Sequence, residues 1–200
     1  MSEKNADLHG NVLEQSPVAL LVIDMINDLE FPEGEEFVQS SEQAAQNIVR
    51  LKEQARQHRI PVIYANDNFG RWRSDFNEVI EHVLHDQVRG QRLAELLRPD
   101  QDDYFVLKPK HSAFYATTLS TLLQYFQVKR LILTGISTDS CIAFTASDAY
   151  MRDYEVYVPS DCTTARNEEF TKTTLDFLER SVHANTTPST ELDLGKLRHQ

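Results

Sequence analysis

A thiol, a carboxylate and an ammonium, set at three separate points of a 200-residue chain, are the side chains whose types could do chemistry together. Cys141 follows Thr134-Gly135-Ile136-Ser137-Thr138-Asp139-Ser140, which reads as a strand end, a tight turn and a helix start. Unsatisfied N–H groups at a helix N-terminus carry partial positive charge; they lower a thiol's pKa and stabilise a developing oxyanion. Cys141 is therefore a candidate nucleophile. Asp24 closes the apolar run 18–23 and is a candidate base, although a strand-end carboxylate also commonly caps a turn. Lys108 stands between the apolar run 104–107 and Pro109, which biases it toward extended geometry and stops the strand there. If both point into one cleft, Asp24 and Lys108 form a buried ion pair, an arrangement that is costly without a function. Cys162, in a later loop after Ser160-Asp161, has no comparable setting and reads as packing.

These three residues need a scaffold that brings strand ends together. Apolar runs at 18–23, 60–65, 104–107, 130–134 and 155–159 alternate with helical patterns, and a short final strand is expected near 184–186. Ala44, Ala45, Ile48, Leu51 and Ala55 recur at helical spacing within 41–58, with Ser40 or Ser41 as the expected N-cap. Leu119, Leu122, Leu123 and Phe126 mark another amphipathic helix, and a further one is expected over 139–152. Phe170, Thr174, Phe177, Leu178 and Val182 mark the last. Strands that read as continuous apolar runs between helices imply a parallel sheet covered on both faces. The expected fold is a three-layer α/β/α sandwich around a doubly wound, mainly parallel six-stranded sheet. Ligands of such sheets bind outside the carboxyl ends of the strands, where Asp24, Lys108 and Cys141 all fall. The chain reads as one domain with its core at about 17–187 and loosely held polar tails. The irregular stretch 66–103 reads as a functional loop or lid.

Composition bounds the function. The formal net charge is −11, and the 20 Lys plus Arg are scattered, which disfavours nucleic acid and anionic membrane surfaces as partners. The longest apolar run is six residues, too short for a bilayer span, and residues 1–15 hold no apolar signal region. Two cysteines in a chain of this kind read as reduced and cytoplasmic. A nucleotide-binding doubly wound domain would place a Gly-rich loop after the first strand, and Asp24-Met25-Ile26-Asn27-Asp28 offers none. His82 and His85, at i and i+3 among Glu78, Glu81 and Asp86, have a spacing that could hold zinc; the mixed charge reads instead as a solvated face.

Three segments together, Leu21-Val22-Ile23-Asp24-Met25, Lys108-Pro109-Lys110-His111-Ser112-Ala113-Phe114 and Thr134-Gly135-Ile136-Ser137-Thr138-Asp139-Ser140-Cys141, resemble the signature motifs of the isochorismatase-like cysteine hydrolases. The resemblance spans about 18–187. It implies a Cys141–Asp24–Lys108 triad in which Asp24 takes the thiol proton, Lys108 keeps Asp24 ionised and Cys141 forms a thioester. It also implies a cis peptide at Ile136–Ser137 and an oxyanion hole made by the N–H groups of Ser137 and Cys141. A small-molecule substrate and a homo-oligomer, dimer or tetramer, follow from the same likeness. Nicotinamidases of the family bind a metal through an Asp-x-His and a further His after the second strand. Here Asn66-Asp67-Asn68-Phe69-Gly70-Arg71-Trp72 keeps Asp67 without the histidines, so no metal and no cofactor are expected. The retained Cys141 favours an amide, ureido or carbamoyl substrate. The alternatives are an isochorismatase-type vinyl-ether hydrolase and a non-catalytic binding or scaffold protein. Phe31, Asn66, Asp67, Phe69, Trp72 and Phe114 are the expected pocket residues.

Overall fold

A computed structural model describes residues 15–70 and 75–199. Trp72, an expected pocket residue, lies outside the described residues. Strand β1 (Val18–Ile23) is followed by α1 (Gly34–Gln57), β2 (Val62–Asp67), α2 (Phe76–His85), α3 (Gln91–Leu96), β3 (Tyr104–Lys108), α4 (Leu119–Phe126) and β4 (Arg130–Ile136). A wide π-helical turn, Thr138–Ile142, then leads into α5 (Ala143–Tyr150), β5 (Glu155–Tyr157), β6 (Thr163–Thr164), α6 (Glu168–Phe177) and α7 (Leu194–His199).

The sheet runs β3-β2-β1-β4-β5, with β6 pairing on β4 beyond the end of β5, and its strand pairs are parallel. The expected sandwich and its six strands are present, with one strand relocated. Near 184–186 the chain makes a single bridge, Asn185 to Tyr157, and the sixth strand is Thr163–Thr164. All six residues of β1 are buried because successive side chains enter opposite cores. Val18, Leu20 and Val22 pack under α1, α2, α3 and α7, while Ala19, Leu21 and Ile23 pack under α4, α5 and α6. Two buried apolar layers thus pack the central strands on both faces, and that packing positions the strand ends.

Four expectations are corrected by packing. Helix α1 begins at Gly34 rather than at Ser40 or Ser41, and Ser41 is buried within it with its hydroxyl unpartnered. The added turns carry Phe37 into an edge-on contact with Phe31, ring centres 5.6 Å apart. The stretch 66–103 is largely core cover: Phe76, Val79, Val83, Leu93, Ala94 and Leu97 are buried against the α1 side of the sheet. In the last long helix Leu175, Leu178 and Val182 face inward, whereas Phe170 and Phe177 are exposed. The C-terminal tail is not loose, because Leu194 and Leu197 of α7 join the core and Arg198 donates to the Gln15 carbonyl at 2.9 Å.

His82 is more than part of a solvated face. Its Nδ1 lies 2.7 Å from Asp86 and its Nε2 lies 3.3 Å from Asp28, which ties α2 to the loop after β1. The hydrogen bond to Asp86, ahead of the partner Asp28, raises its pKa despite partial burial. His85 pairs with Glu81 in solvent. Among the described residues no helix is long and apolar enough to cross a membrane.

Candidate active site

Each candidate side chain lies at the carboxyl end of the sheet: Asp24 just after central β1, Lys108 at the end of edge strand β3, and Cys141 in the turn after β4. Asp24 follows β1 with φ +52°, a left-handed conformation that Asp tolerates better than most residues. Its N–H donates to the Ala65 carbonyl at 3.0 Å, and its Oδ1 accepts the Asp67 N–H at 2.7 Å. The carboxylate is thereby fixed against the end of β2. Lys108 ends β3 and is fully buried. Its Nζ lies 2.7 Å from Asp24 Oδ2, 3.4 Å from Cys141 Sγ and 3.2 Å from the Lys110 carbonyl, with Asp67 Oδ2 at 3.8 Å. One ammonium therefore spans the carboxylate and the thiol.

Glycine is required at 135. It has φ +114°, and a Cβ there would fall 2.0 Å from the Ile23 carbonyl oxygen, so β4 presses on β1 one residue before Asp24. The peptide Ile136–Ser137 is cis, as the family resemblance implies. Beyond it the Ile142 N–H reaches the Ser137 carbonyl at 3.1 Å, closing the wide turn that carries Cys141. Such wide turns concentrate at functional sites. The Thr163 hydroxyl fastens this corner by donating to the Gly135 carbonyl at 2.9 Å, and it meets the Thr138 hydroxyl at 2.8 Å.

Electrostatics revise one expectation. The Cys141 thiol is not lowered by its place at a helix start; it is pushed up to about 12, first by burial and then by the Asp24 carboxylate, with Lys108 pulling the other way. Burial also raises Asp24, against the field of Lys108 and hydrogen bonds from Cys141, Lys108 and the Asp67 N–H. For Lys108, burial opposes the charge, but the fields of Asp24 and Cys141 outweigh it and hold the ammonium above the ordinary lysine range. The resting thiol thus keeps its proton and sits hydrogen-bonded to a carboxylate that is more basic than usual.

The expected pocket residues divide. Asp67 is partly exposed beside Lys108, and its Oδ1 accepts the Phe69 N–H at 2.7 Å. Phe69 is exposed at the same rim. Asn66 is fully buried and donates to the Ile26 carbonyl at 2.5 Å, while its Oδ1 has no partner. Phe31 packs on Phe37, and Phe114 is a core residue stacked 6.0 Å from Tyr154 beneath the Arg152 guanidinium. Asp67 faces an ammonium and holds a loop N–H, with no imidazole in 66–70; this donor set does not fit the metal of the nicotinamidases. Cys162 is fully buried and free, its thiol also pushed up to about 12 by burial, and its carbonyl accepts the Gly135 N–H.

Sequence reasoning missed His111, whose Nδ1 lies 3.8 Å from Cys141 Sγ. Its place three residues after Lys108 was visible, but nothing local shows that the chain folds back onto the thiol.

Residues 18–190 match the isochorismatase domain. An uncharacterized isochorismatase family protein of Bacillus subtilis is 38% identical over 180 residues, 90% of this chain and 98% of the relative. A probable inactive nicotinamidase of Arabidopsis thaliana is 34% identical, covering 76% of this chain and 82% of its own length. Among solved structures, N-carbamoylsarcosine amidase from Thermoplasma acidophilum superposes with a TM-score of 0.66 at 26% identity, covering 88% of this chain and 98% of that one.

Proposed function

Because the chain belongs to the isochorismatase family, we propose that it is a cysteine amidohydrolase, cleaving a small amide, ureido or carbamoyl compound through a thioester on Cys141. The observation that carries this reading is the Lys108 ammonium, buried and within 2.7 Å of Asp24 and 3.4 Å of the Cys141 sulfur. Buried Lys52 meets carboxylates, a phenol hydroxyl and a backbone carbonyl, whereas this ammonium is shared between a carboxylate and a thiol, and removing it would leave the carboxylate stranded.

The mechanism follows from the proton positions. A thiol pushed up to about 12 is almost wholly protonated at neutral pH, so it needs a base in contact. Asp24 is that base, and its raised basicity suits it to take the thiol proton as sulfur attacks the carbonyl carbon. The N–H groups of Ser137 and Cys141 receive the oxyanion at the strand-to-helix corner. As the C–N bond breaks, the proton on Asp24 passes to the leaving nitrogen. Asp24, again a carboxylate, then takes a proton from water as the water oxygen attacks the thioester carbon. It returns that proton to sulfur as the C–S bond breaks, so that the acid product leaves and the thiol and carboxylate re-form. Lys108 stays charged throughout and offsets the negative charge that moves between Asp24 and sulfur. Asp67 and Phe69 lie at the rim where a substrate head group enters.

The test is ammonia release from a panel of small amides, ureides, carbamoyl compounds and one enol ether, with mass spectrometry for an acyl adduct on Cys141. Turnover of a carbonyl substrate, lost in Asp24→Asn and Cys141→Ala, is the expected result. Turnover that survives Cys141→Ala, or that appears only on the enol ether with no adduct, overturns the reading. A relative is named as a probable inactive nicotinamidase, but the three polar side chains at this thiol favour turnover over a purely binding role.

A further inference from the structure

The Cys141 sulfur has a third polar neighbour that neither the ion pair nor the oxyanion corner accounts for. His111 brings Nδ1 to 3.8 Å from Sγ, within reach of a hydrogen bond to sulfur. Its position is built rather than incidental. Lys108 Nζ donates to the Lys110 carbonyl at 3.2 Å, which curls the chain after Pro109 back over the site. On the other side of His111, the Ser112 hydroxyl bonds Asp148, and the Ala113 N–H donates to the Thr145 hydroxyl at 3.0 Å. Both acceptors belong to α5, the helix that continues from the Cys141 turn. The imidazole itself lies nearly parallel to the Phe144 ring, centres 5.5 Å apart and planes 26° apart. An otherwise exposed histidine is thus clamped from before, after and beneath, with its Nδ1 toward the nucleophile.

We propose that His111 is a further catalytic residue, donating its Nδ1–H to the Cys141 sulfur and supporting the negative charge that develops there. The inference rests on the reading of Cys141 as the nucleophile. The proton ledger is unchanged by it. The S–H proton passes to Asp24, the electron pair stays on sulfur, and the His111 N–H is donated but not transferred. The same N–H stabilises the thiolate as it leaves the thioester in the second half of the cycle. The charged groups facing this sulfur are Asp24, which disfavours the thiolate, and Lys108, which favours it. Asp67 acts on Lys108 from the rim. His111 adds a second donor to that balance, and Phe144 holds the donor in plane.

The experiment follows the rate of Cys141 alkylation by iodoacetamide between pH 6 and 10, read by mass spectrometry on the folded protein, for wild type, His111→Ala and His111→Asn. Loss of a hydrogen bond to a charge-bearing atom should slow labelling at neutral pH by about 3- to 10-fold in His111→Ala and move the rate profile to higher pH. Asn places an amide N–H near the Nδ1 position, so His111→Asn should restore most of the rate. Labelling of His111→Ala at the wild-type rate or faster overturns the proposal. Slowing that Asn does not rescue also overturns it, because it indicates packing rather than donation. This measurement needs no substrate. A chain that turns over no amide yet shows the Ala and Asn pattern would refute the hydrolase reading and leave the His111 contact standing.

Discussion

Replacing Lys108 with Met removes a buried ammonium while keeping the length of its stem, and it isolates what the charge does for the fold. In the native protein the ammonium is 2.7 Å from Asp24, and both side chains are almost completely withdrawn from water. Breaking a buried pair by deleting one partner costs about 3–5 kcal/mol when the other charge stays. Asp24 has an alternative, which is to take up a proton. Burial already raises its carboxyl, and loss of the opposing Lys108 field raises it further. Holding a carboxyl neutral costs about 1.4 kcal/mol for each pH unit above its unfolded value near 3.9, so the penalty from this source is capped near 4 kcal/mol at pH 7 and near 1.5 kcal/mol at pH 5. The sign follows from proton counting. A carboxyl raised in the native state binds more protons there than in the unfolded chain. Its contribution is fully present below the ordinary carboxyl range and is lost as pH rises through the raised value. Urea unfolding of wild type and Lys108→Met at pH 5 and pH 7 should therefore show a stability gap that widens with pH. Adding Asp24→Asn should close most of that gap and remove its pH dependence. A gap of equal size at both pH values, or one that Asp24→Asn leaves untouched, would refute the buried-pair account.

Four further outcomes follow from the geometry. Asp24→Asn removes the carboxylate that holds the Cys141 thiol up, whereas Lys108→Met removes the charge that pulls it down. Iodoacetamide should therefore label Cys141 faster in the first than in wild type, by about tenfold per unit of thiol pKa, whereas in the second the proton taken up by Asp24 offsets the lost ammonium. Slower labelling of Asp24→Asn than of wild type would contradict the electrostatics. In wild type Cys141 should label in the folded protein while fully buried Cys162 waits for urea, and equal native rates would count against the burial assigned to them. Gly135→Ala meets a positive φ and a backbone oxygen 2.0 Å from the new carbon, and its urea midpoint should fall by the equivalent of about 3 kcal/mol or more. Tyr64→Phe strips the hydroxyl that donates to the Leu97 carbonyl and accepts from Lys52, each at 2.8 Å, and should cost about 1–3 kcal/mol in the same assay.

Much of the fold was legible because its signals are local. A continuous apolar run such as Val18–Ile23, six residues long and half β-branched, reads as a strand buried on both faces, and the alternation of such runs with helical patterns implies a doubly wound sheet. The errors fall where two local readings were equally good. The last long helix carries apolar residues on more than one stripe, and packing chose Leu175, Leu178 and Val182 over Phe170 and Phe177. The short strand at Thr163–Thr164 has no run to announce it and exists because β4 offers a free edge beside Gly135. Of the expected pocket residues, Phe114 is core and Asn66 is a buried tie, since aromatic or amide character alone does not say which way a side chain points.

By itself the sequence determined which residues could react: a thiol at a strand-to-helix turn, a carboxylate at a strand end and a lysine held before a proline. Each assignment rests on residue type and near neighbours, which a linear chain records. Only the tertiary structure decided what state those groups are in and who stands beside them. The thiol is pushed up rather than down because the parallel strand ends β1 and β3 bring Asp24 and Lys108 to it in a nearly dry corner. His111 reaches the sulfur only because the chain after Lys108 is tied by its Lys110 carbonyl to the Lys108 ammonium and by its Ala113 N–H to α5. Charge–charge energies depend on distance and burial across more than a hundred residues of sequence, and neither quantity is written in any local pattern.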